Sequence, residues 1–266
     1  MDKIILIAGN GKFPLLFAEA AKRAGTYVVA IAFREETDRK IVKLADKTHW
    51  ISVGQLKKLV EIVQNEQIKK AIMCGQIRHR WIFAPIVLDD ELKKLLKQLQ
   101  DKRTDTILGA LARRIEALGV TLVDSTTFLK DYLPKKGVLT RCLPSEKQWQ
   151  DIEFGLKIAK SIAALDIGQT VVVKNKVVLS IEAIEGTDQT IRRASRYVKG
   201  GCVVVKVSKP KQDMRFDVPL VGEKTLKTLI RSRAAVLAVE AEKTLFLDKS
   251  SVLACADKHN ICIVAV

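Results

Sequence analysis

Residues Lys3–Ala8 form an unbroken apolar run, Pro14–Ala24 repeat apolar residues at three- and four-residue spacing up to Gly25, and Tyr27–Phe33 are β-branched and apolar again. A short continuous run suits a strand buried on both faces, and the 3.6 period suits an amphipathic helix, so the succession predicts strand, helix, strand. The rhythm continues with predicted strands at His49–Val53, Ala71–Gly75 and Val120–Asp124, and predicted helices at Gln55–Asn65, Asp89–Gln100 and Asp105–Leu118. Strands separated by helices imply a mainly parallel sheet covered on both faces, hence an α/β domain over 1–132.

Asp131–Pro144 holds two of the six prolines and a Lys-Lys-Gly without periodicity, so a domain boundary is placed there, with 133–144 as linker and 145–266 as the second domain. Ser145 is positioned to cap a helix to about Leu165. Gln169–Lys174 and Val177–Ala183 predict a hairpin around Asn175-Lys176, a turn pair that lacks the usual second glycine. A helix is expected from Asp188 to about Val198, stopped by Gly200-Gly201. Cys202–Val207 predicts a strand and Gly222–Arg233 a helix. Ala235–Glu240, Thr244–Leu247, Ser250–His259 and Ile261–Ala265 then read strand, strand, helix, strand. The second half is therefore α/β with a mixed sheet containing at least one antiparallel pair.

With 48% apolar residues over 266, the chain can build two ordinary cores, and no apolar run approaches the ~18 residues a membrane span needs. The opening run is too short for a secretory leader, so a cytoplasmic protein is expected. Five cysteines, odd in number and without a CxxC, are expected as reduced, mostly buried thiols. The charge of +16 divides as 23 − 16 = +7 over 1–133 and 23 − 14 = +9 over 134–266, so it belongs to no tail. Such a surface attracts phosphate-rich partners; with 5% aromatics for base stacking, an anionic membrane surface is favoured and nucleic acid is not.

Gly9-Asn10-Gly11-Lys12 follows the first strand and opens the first helix, where flexible backbone and free N–H groups attract phosphate; a tight turn explains the same residues. A dinucleotide fingerprint would need a third small residue, and Leu15 follows Pro14 instead. Glu35 and Glu36 past the second strand are placed to reach a ribose. Gln76, Arg78 and Arg80 follow a strand at the same carboxyl edge. Glu182, Glu185 and Asp188 surround a strand end, a turn and a helix start, the oxygen-rich setting a hard cation such as magnesium takes; a capped helix, with Thr187 or Asp188 as N-cap, is the plain alternative. Within Lys209–Pro219 (KPKQDMRFDVP), an extended chain would put Asp213, Arg215 and Asp217 on one side, and two carboxylates flanking an arginine serve a metal site or a structural ion pair equally well. Cys255, His259 and Cys262 lack a fourth zinc ligand and are assigned to packing. His49 and His79 have no catalytic partners in the sequence, and GxSxG and HExxH do not occur.

Taken in order, IAGNGKFPLL, DIGQTVVVKNKVVLSIEAIEGTDQTIRR and VSKPKQDMRFDVPLVG resemble the UDP-2,3-diacylglucosamine pyrophosphatase family of the lipid A pathway over nearly the whole chain. The resemblance implies a Rossmann-like N-terminal domain, a catalytic C-terminal domain and a lipid-binding interior reached between them. It also implies magnesium, with manganese as a substitute, and hydrolysis of UDP-2,3-diacylglucosamine to 2,3-diacylglucosamine 1-phosphate (lipid X) and UMP at the face of the inner membrane. A homodimer is compatible with it. The family's acidic motif falls on Asp213 and Asp217. Catalysis is expected from Asp213, Asp217 and Arg215, and metal ligation from Asp213, Asp217, Glu182, Glu185 and Asp188. Substrate contact is expected from Gly9, Asn10, Gly11, Lys12, Gln76, Arg78, Gln169, Thr187, Arg192, Arg193, Lys209 and Gln212. The loop Gly9-Asn10-Gly11 departs from the three glycines of many relatives. The rival expectation is a regulatory protein that binds a nucleotide or dinucleotide without hydrolysing it.

Overall fold

A computed structural model of the chain describes residues 1–78, 87–101, 103–210 and 212–266. They divide into two compact units: Met1–Lys130 with Asp213–Asp217, and Asp131–Gln212 with Val218–Val266. No helix among the described residues is long and apolar enough to cross a membrane.

The first unit is built on five parallel strands in the order β3-β2-β1-β4-β5: β1 Lys3–Ala8, β2 Tyr27–Phe33, β3 Lys47–Ile51, β4 Lys70–Cys74 and β5 Thr121–Leu122. Ile4 to Ala8 and Val28 to Phe33 are buried, as unbroken apolar strands must be when helices cover both faces. The helices are α1 Phe13–Arg23, α2 Ile41–Leu44, α3 Leu56–Glu66, α4 Asp90–Lys97 and α5 Thr104–Glu116. Pro14 occupies the first turn of α1, where a missing N–H costs no hydrogen bond. Because β1 and β4 are adjacent and parallel, the loops after them emerge at one carboxyl edge, where open α/β sheets collect ligands.

The second unit has a six-stranded mixed sheet in the order β6-β13-β11-β9-β7-β8. Its strands are β6 Gly137–Val138, β7 Thr170–Lys174, β8 Val177–Ile181, β9 Val203–Lys206, β11 Val236–Val239 and β13 Cys262–Ala265. The strands β9, β11 and β13 are parallel, and β6, β7 and β8 are antiparallel to their neighbours. A separate parallel pair joins β10 Leu220–Val221 to β12 Leu245–Phe246. One face of the large sheet is covered by α6 Glu146–Ala164, which comes close enough at Gly155 that a Cβ there would lie 2.7 Å from Val205 Cγ2. The other face packs on α7 Thr187–Ala194, α8 Glu223–Arg231 and α9 Lys249–Lys258.

Three expectations change. The proline-bearing stretch expected as a linker carries β6, which pairs with the last strand through Val264↔Val138, and belongs to the second unit. The helix expected over Asp188–Val198 starts one residue earlier and ends at Ala194, and its N-cap is Gly186 at φ +80 with no side-chain cap, so neither Thr187 nor Asp188 serves as N-cap. The segment around Asp213 is a turn and not an extended run, with the Phe216 and Asp217 N–H groups both donating to the Asp213 carbonyl at 3.2 and 2.9 Å.

Candidate functional site

Polar side chains gather in the second unit where β9 ends and α7 begins. Lys206 closes the apolar run of β9 and is only 8% exposed, yet it makes no ion pair with an acidic side chain among the described residues. Its Nζ donates to Thr187 Oγ1 at 2.8 Å, and Thr187 Oγ1 in turn donates to Glu182 Oε1 at 3.0 Å. Thr170 Oγ1 lies 3.2 Å from Thr187 Oγ1, and the Gln169 N–H donates to Glu182 Oε2 at 3.4 Å. Gly168 permits this crossing, since a Cβ there would sit 2.1 Å from the Glu182 carbonyl oxygen. The structure thus joins Gln169, Thr187 and Glu182 as the sequence grouped them, and adds Thr170 and Lys206. Sequence reading missed Lys206; the signal was a lysine inside an otherwise apolar strand, Val203 to Val207.

The neighbouring carboxylates are engaged elsewhere. Glu185 pairs with Arg193 at 2.8 Å and accepts from Thr190 Oγ1 and the Ala183 N–H. Asp188 turns to α8, pairing with Lys224 at 3.0 Å and accepting from Thr225 Oγ1 at 3.2 Å. Arg193 also donates to the Ile181 carbonyl, and Arg192 to Gln189. Lys209 pairs with Asp166 at 2.7 Å while its N–H donates to Gln212 Oε1 at 2.7 Å. Just past β11, Glu240 accepts from Lys160, Lys243 and both the N–H and hydroxyl of Ser208. Burial pushes the Glu240 carboxyl up, but those donors outweigh it and hold it at about 2.

In the first unit, Arg215 grips Asp213 with Nε at 2.9 Å and Nη2 at 2.7 Å, and reaches Glu116 with Nη1 at 2.6 Å. The arginine's hydrogen bonds hold the Asp213 carboxyl below the usual carboxylate range and raise the guanidinium in return. Ser125 anchors the turn, its N–H and hydroxyl both donating to the Met214 carbonyl at 2.9 and 2.7 Å, and Phe216 packs on the core. The Asp217 N–H completes the turn.

The Gly9-Asn10-Gly11 loop is tied to the loop after β4. Gly9 N–H donates to the Cys74 carbonyl, and Asn10 and Gln76 exchange backbone hydrogen bonds at 2.7 and 3.2 Å. Those bonds use the Gly9 and Asn10 N–H groups that the phosphate reading required. Glu36 is fully buried at its side chain, pairs with Arg78 at 3.0 Å, and presents its carbonyl to Asn10 Nδ2; Glu35 accepts from the Val53 N–H. Both glutamates expected on a ribose are thereby committed within the fold, which removes the main support for a dinucleotide site. Arg80 and His79 lie outside the described residues. His49 pairs with Glu66 at 2.6 Å.

Magnesium takes oxygen ligands and often only one or two carboxylates, substrate phosphates and water supplying the rest. Among the described residues no three His, Cys, Asp or Glu side chains gather to hold an ion. Asp213 is spent on Arg215, Glu182 on Thr187 and Gln169, Glu185 on Arg193, and Asp188 on Lys224.

Family models described as the LpxI N-terminal domain and the LpxI C-terminal domain match residues 3–132 and 135–264. The chain is 27% identical, over an alignment of 277 residues, to UDP-2,3-diacylglucosamine pyrophosphatase LpxI of Caulobacter vibrioides, covering 100% of this chain and 98% of that protein. Among solved structures, it is similar to the biotin carboxylase domain of Hydrogenobacter thermophilus 2-oxoglutarate carboxylase (TM-score 0.30, 16% identity, 74% of this chain and 41% of that one). Phosphoribosylglycinamide synthetase from Anaerococcus prevotii gives a TM-score of 0.30 and 14% identity over 72% of this chain and 43% of that one. The chain spans about two fifths of those structures, and likeness at that level carries no functional argument. Two domain models of one family account for the chain almost end to end, and the chain therefore belongs to the LpxI family.

Proposed function

We propose that this chain hydrolyses the pyrophosphate of UDP-2,3-diacylglucosamine in lipid A biosynthesis, releasing 2,3-diacylglucosamine 1-phosphate and UMP. The observation that carries the reading is the match over the whole chain to a relative named for that activity. In the reaction a water oxygen bonds to one phosphorus, the bond from that phosphorus to the bridging oxygen breaks, the bridging oxygen leaves on the other phosphate, and the water's proton passes to a base. The obstacle is electrostatic, since anionic oxygens repel the incoming nucleophile, so cationic side chains must screen them.

Asp213, with its oxygens on Arg215, serves in this proposal to fix the guanidinium. Asp217, the other carboxylate of the motif, is assigned in this proposal to receive the proton. In the first unit Arg215 is assigned to screen phosphate charge, with Gly11, Lys12, Gln76 and Arg78 as substrate contacts, and in the second unit Arg192, Arg193 and Lys209 are the assigned cations. Magnesium, or manganese in its place, would neutralise pyrophosphate oxygens, and such a cation often takes only one or two carboxylates from the protein. Association with an anionic membrane face and a homodimer of the 29.6 kDa chain complete the proposal.

The test is release of UMP from UDP-2,3-diacylglucosamine with and without EDTA. Asp217→Asn is expected to lower turnover by at least about 100-fold with unchanged circular dichroism. Wild-type protein that releases no UMP in any divalent cation would overturn the assignment, and full activity in EDTA would overturn the metal clause alone.

A further inference from the structure

We infer that Glu240 is a positioning residue for the substrate-binding segment that begins at Ser208, fixing the course of the chain that carries Lys209 and Gln212. This role belongs to the proposed hydrolysis, in which Lys209 meets substrate phosphate, and rests on that reading.

The sheet brings the two residues together. β9 and β11 are parallel neighbours with Lys206 opposite Val239, so the chain just past both strands emerges at one carboxyl edge, where open α/β sheets collect ligands. Ser208 lies two residues past β9 and Glu240 one past β11. Ser208 is fully buried, and each of its polar groups is committed. Its N–H and hydroxyl donate to Glu240 Oε2 at 3.0 and 2.7 Å, and its carbonyl accepts from Lys160 Nζ at 3.3 Å. Lys160 Nζ also donates to the same Glu240 Oε2 at 2.5 Å. Ser208 is thereby clamped at its N–H and at its carbonyl by the two halves of one ion pair, and charge-assisted bonds are about twice as strong as neutral ones.

A tight turn hangs from this clamp. The Lys209 N–H donates to Gln212 Oε1 at 2.7 Å, the Gln212 N–H returns to the Lys209 carbonyl at 3.1 Å, and Lys209 Nζ pairs with Asp166 at 2.7 Å. With Ser208 as its root, the ammonium of Lys209 and the amide of Gln212 take their places from where Glu240 holds the chain. A shift of ~1 Å in a group that meets the substrate is costly, however far from the chemistry its cause lies.

The two oxygens of Glu240 have separate tasks. Oε2 takes Ser208 and Lys160, whereas Oε1 takes the half-exposed Lys243. Loss of Lys243 therefore removes stabilisation and leaves the clamp, which separates a positioning carboxylate from a merely stabilising one. The donors hold the Glu240 carboxyl at about 2, so the clamp stays charged across the neutral range.

The experiment measures KM and kcat for UMP release from UDP-2,3-diacylglucosamine by the full chain, and titrates UMP and 2,3-diacylglucosamine 1-phosphate separately by calorimetry. Glu240→Ala is expected to raise KM about 10-fold and to weaken the product seated on the segment by a similar factor, with kcat within about 2-fold, since a contact made equally in ground and transition states shows in KM. Glu240→Gln, whose amide oxygen still accepts from Ser208, should bring KM back to within about 3-fold of wild type although it lacks the charge. Lys243→Met should lower the melting temperature and leave KM at the wild-type value. A KM in active Glu240→Ala equal to that of wild type, a rise as large in Lys243→Met as in Glu240→Ala, or a loss confined to kcat overturns the role alone. Should Glu240→Ala fail to fold, Lys160→Met, which frees the Ser208 carbonyl, decides on the same readout. Wild type that binds neither product and releases no UMP overturns the hydrolase reading and this role with it.

Discussion

Glu240 illustrates how a single side chain can be held far from its ordinary titration. Burial pushes its carboxyl up, but Lys160, Lys243 and Ser208 donate to it and hold it at about 2, well below the ordinary glutamate range. A folded-state value below the unfolded one means the stabilisation is present above about pH 4.5 and disappears as pH falls toward 2. The shift sets a ceiling of ~3 kcal/mol, reduced by solvent screening because the two lysines are partly exposed. Glu240→Gln is therefore expected to cost ~1–3 kcal/mol at pH 7, with the deficit shrinking below pH 4.5, as read by urea unfolding across pH. The Asp213 and Arg215 pair was legible in the sequence as one of two even readings of charges two residues apart, whereas the turn that holds it was not, since alternation suggested an extended chain. Lys243 lies three residues from Glu240, but its other partners Lys160 and Ser208 lie 80 and 32 residues away, and Lys206 meets Thr187 across 19, so no local spacing could announce those.

Elements with a long period were readable because the same face pattern repeats several times. The helix after Ser145 carries a full capping box, Ser145 accepting from Gln148 N–H while Gln148 returns a bond to the Ser145 N–H, as the capping serine suggested. Ser145→Ala should cost ~1 kcal/mol in chemical denaturation. Elements of two to four residues, β6, β10 and α2, contain no repeat to detect. The hairpin between β7 and β8 was anticipated with an imperfect turn, and its two central residues do take positive φ, +52 at Asn175 and +58 at Lys176. The buried Asp151 of α6 compensates by accepting from both turn N–H groups at 2.9 and 2.6 Å. Replacing Lys176 with glycine relieves the left-handed strain at that residue, and Lys176→Gly is expected to raise stability by ~0.5–1 kcal/mol, seen as a higher melting temperature. A fall on that substitution would mean that the lysine side chain stabilises the hairpin by more than its backbone strain costs.

At the scale of the molecule, the alternation of strands and helices carried the fold class, and the rise of antiparallel pairs after residue 134 separated the mixed sheet from the parallel one. What sequence order concealed is that Asp213–Asp217 counts with the first unit although the residues on either side count with the second. A charge of +16 distributed over both halves predicts binding to vesicles containing anionic lipid that weakens steeply with salt. Co-sedimentation at low and at 0.5 M salt checks it, and retention at the higher salt would replace an electrostatic account with an inserted apolar one.

The five-residue excursion also governs how the chain can be divided and recombined. A fragment ending near residue 132 would carry the core of the first unit but lack the piece that fills the hydrogen bonds of Ser125, pairs with Glu116 and lays Phe216 on the apolar surface. Supplied as a separate peptide, that piece would have to meet its seat at the cost of its own freedom. Exchange of carboxyl halves between two relatives would hand each amino half a turn shaped for someone else's Glu116. Heredity by halves, natural or engineered, is therefore constrained here: the turn bearing Asp213, Arg215 and Asp217 has to remain matched to residues encoded about a hundred positions earlier.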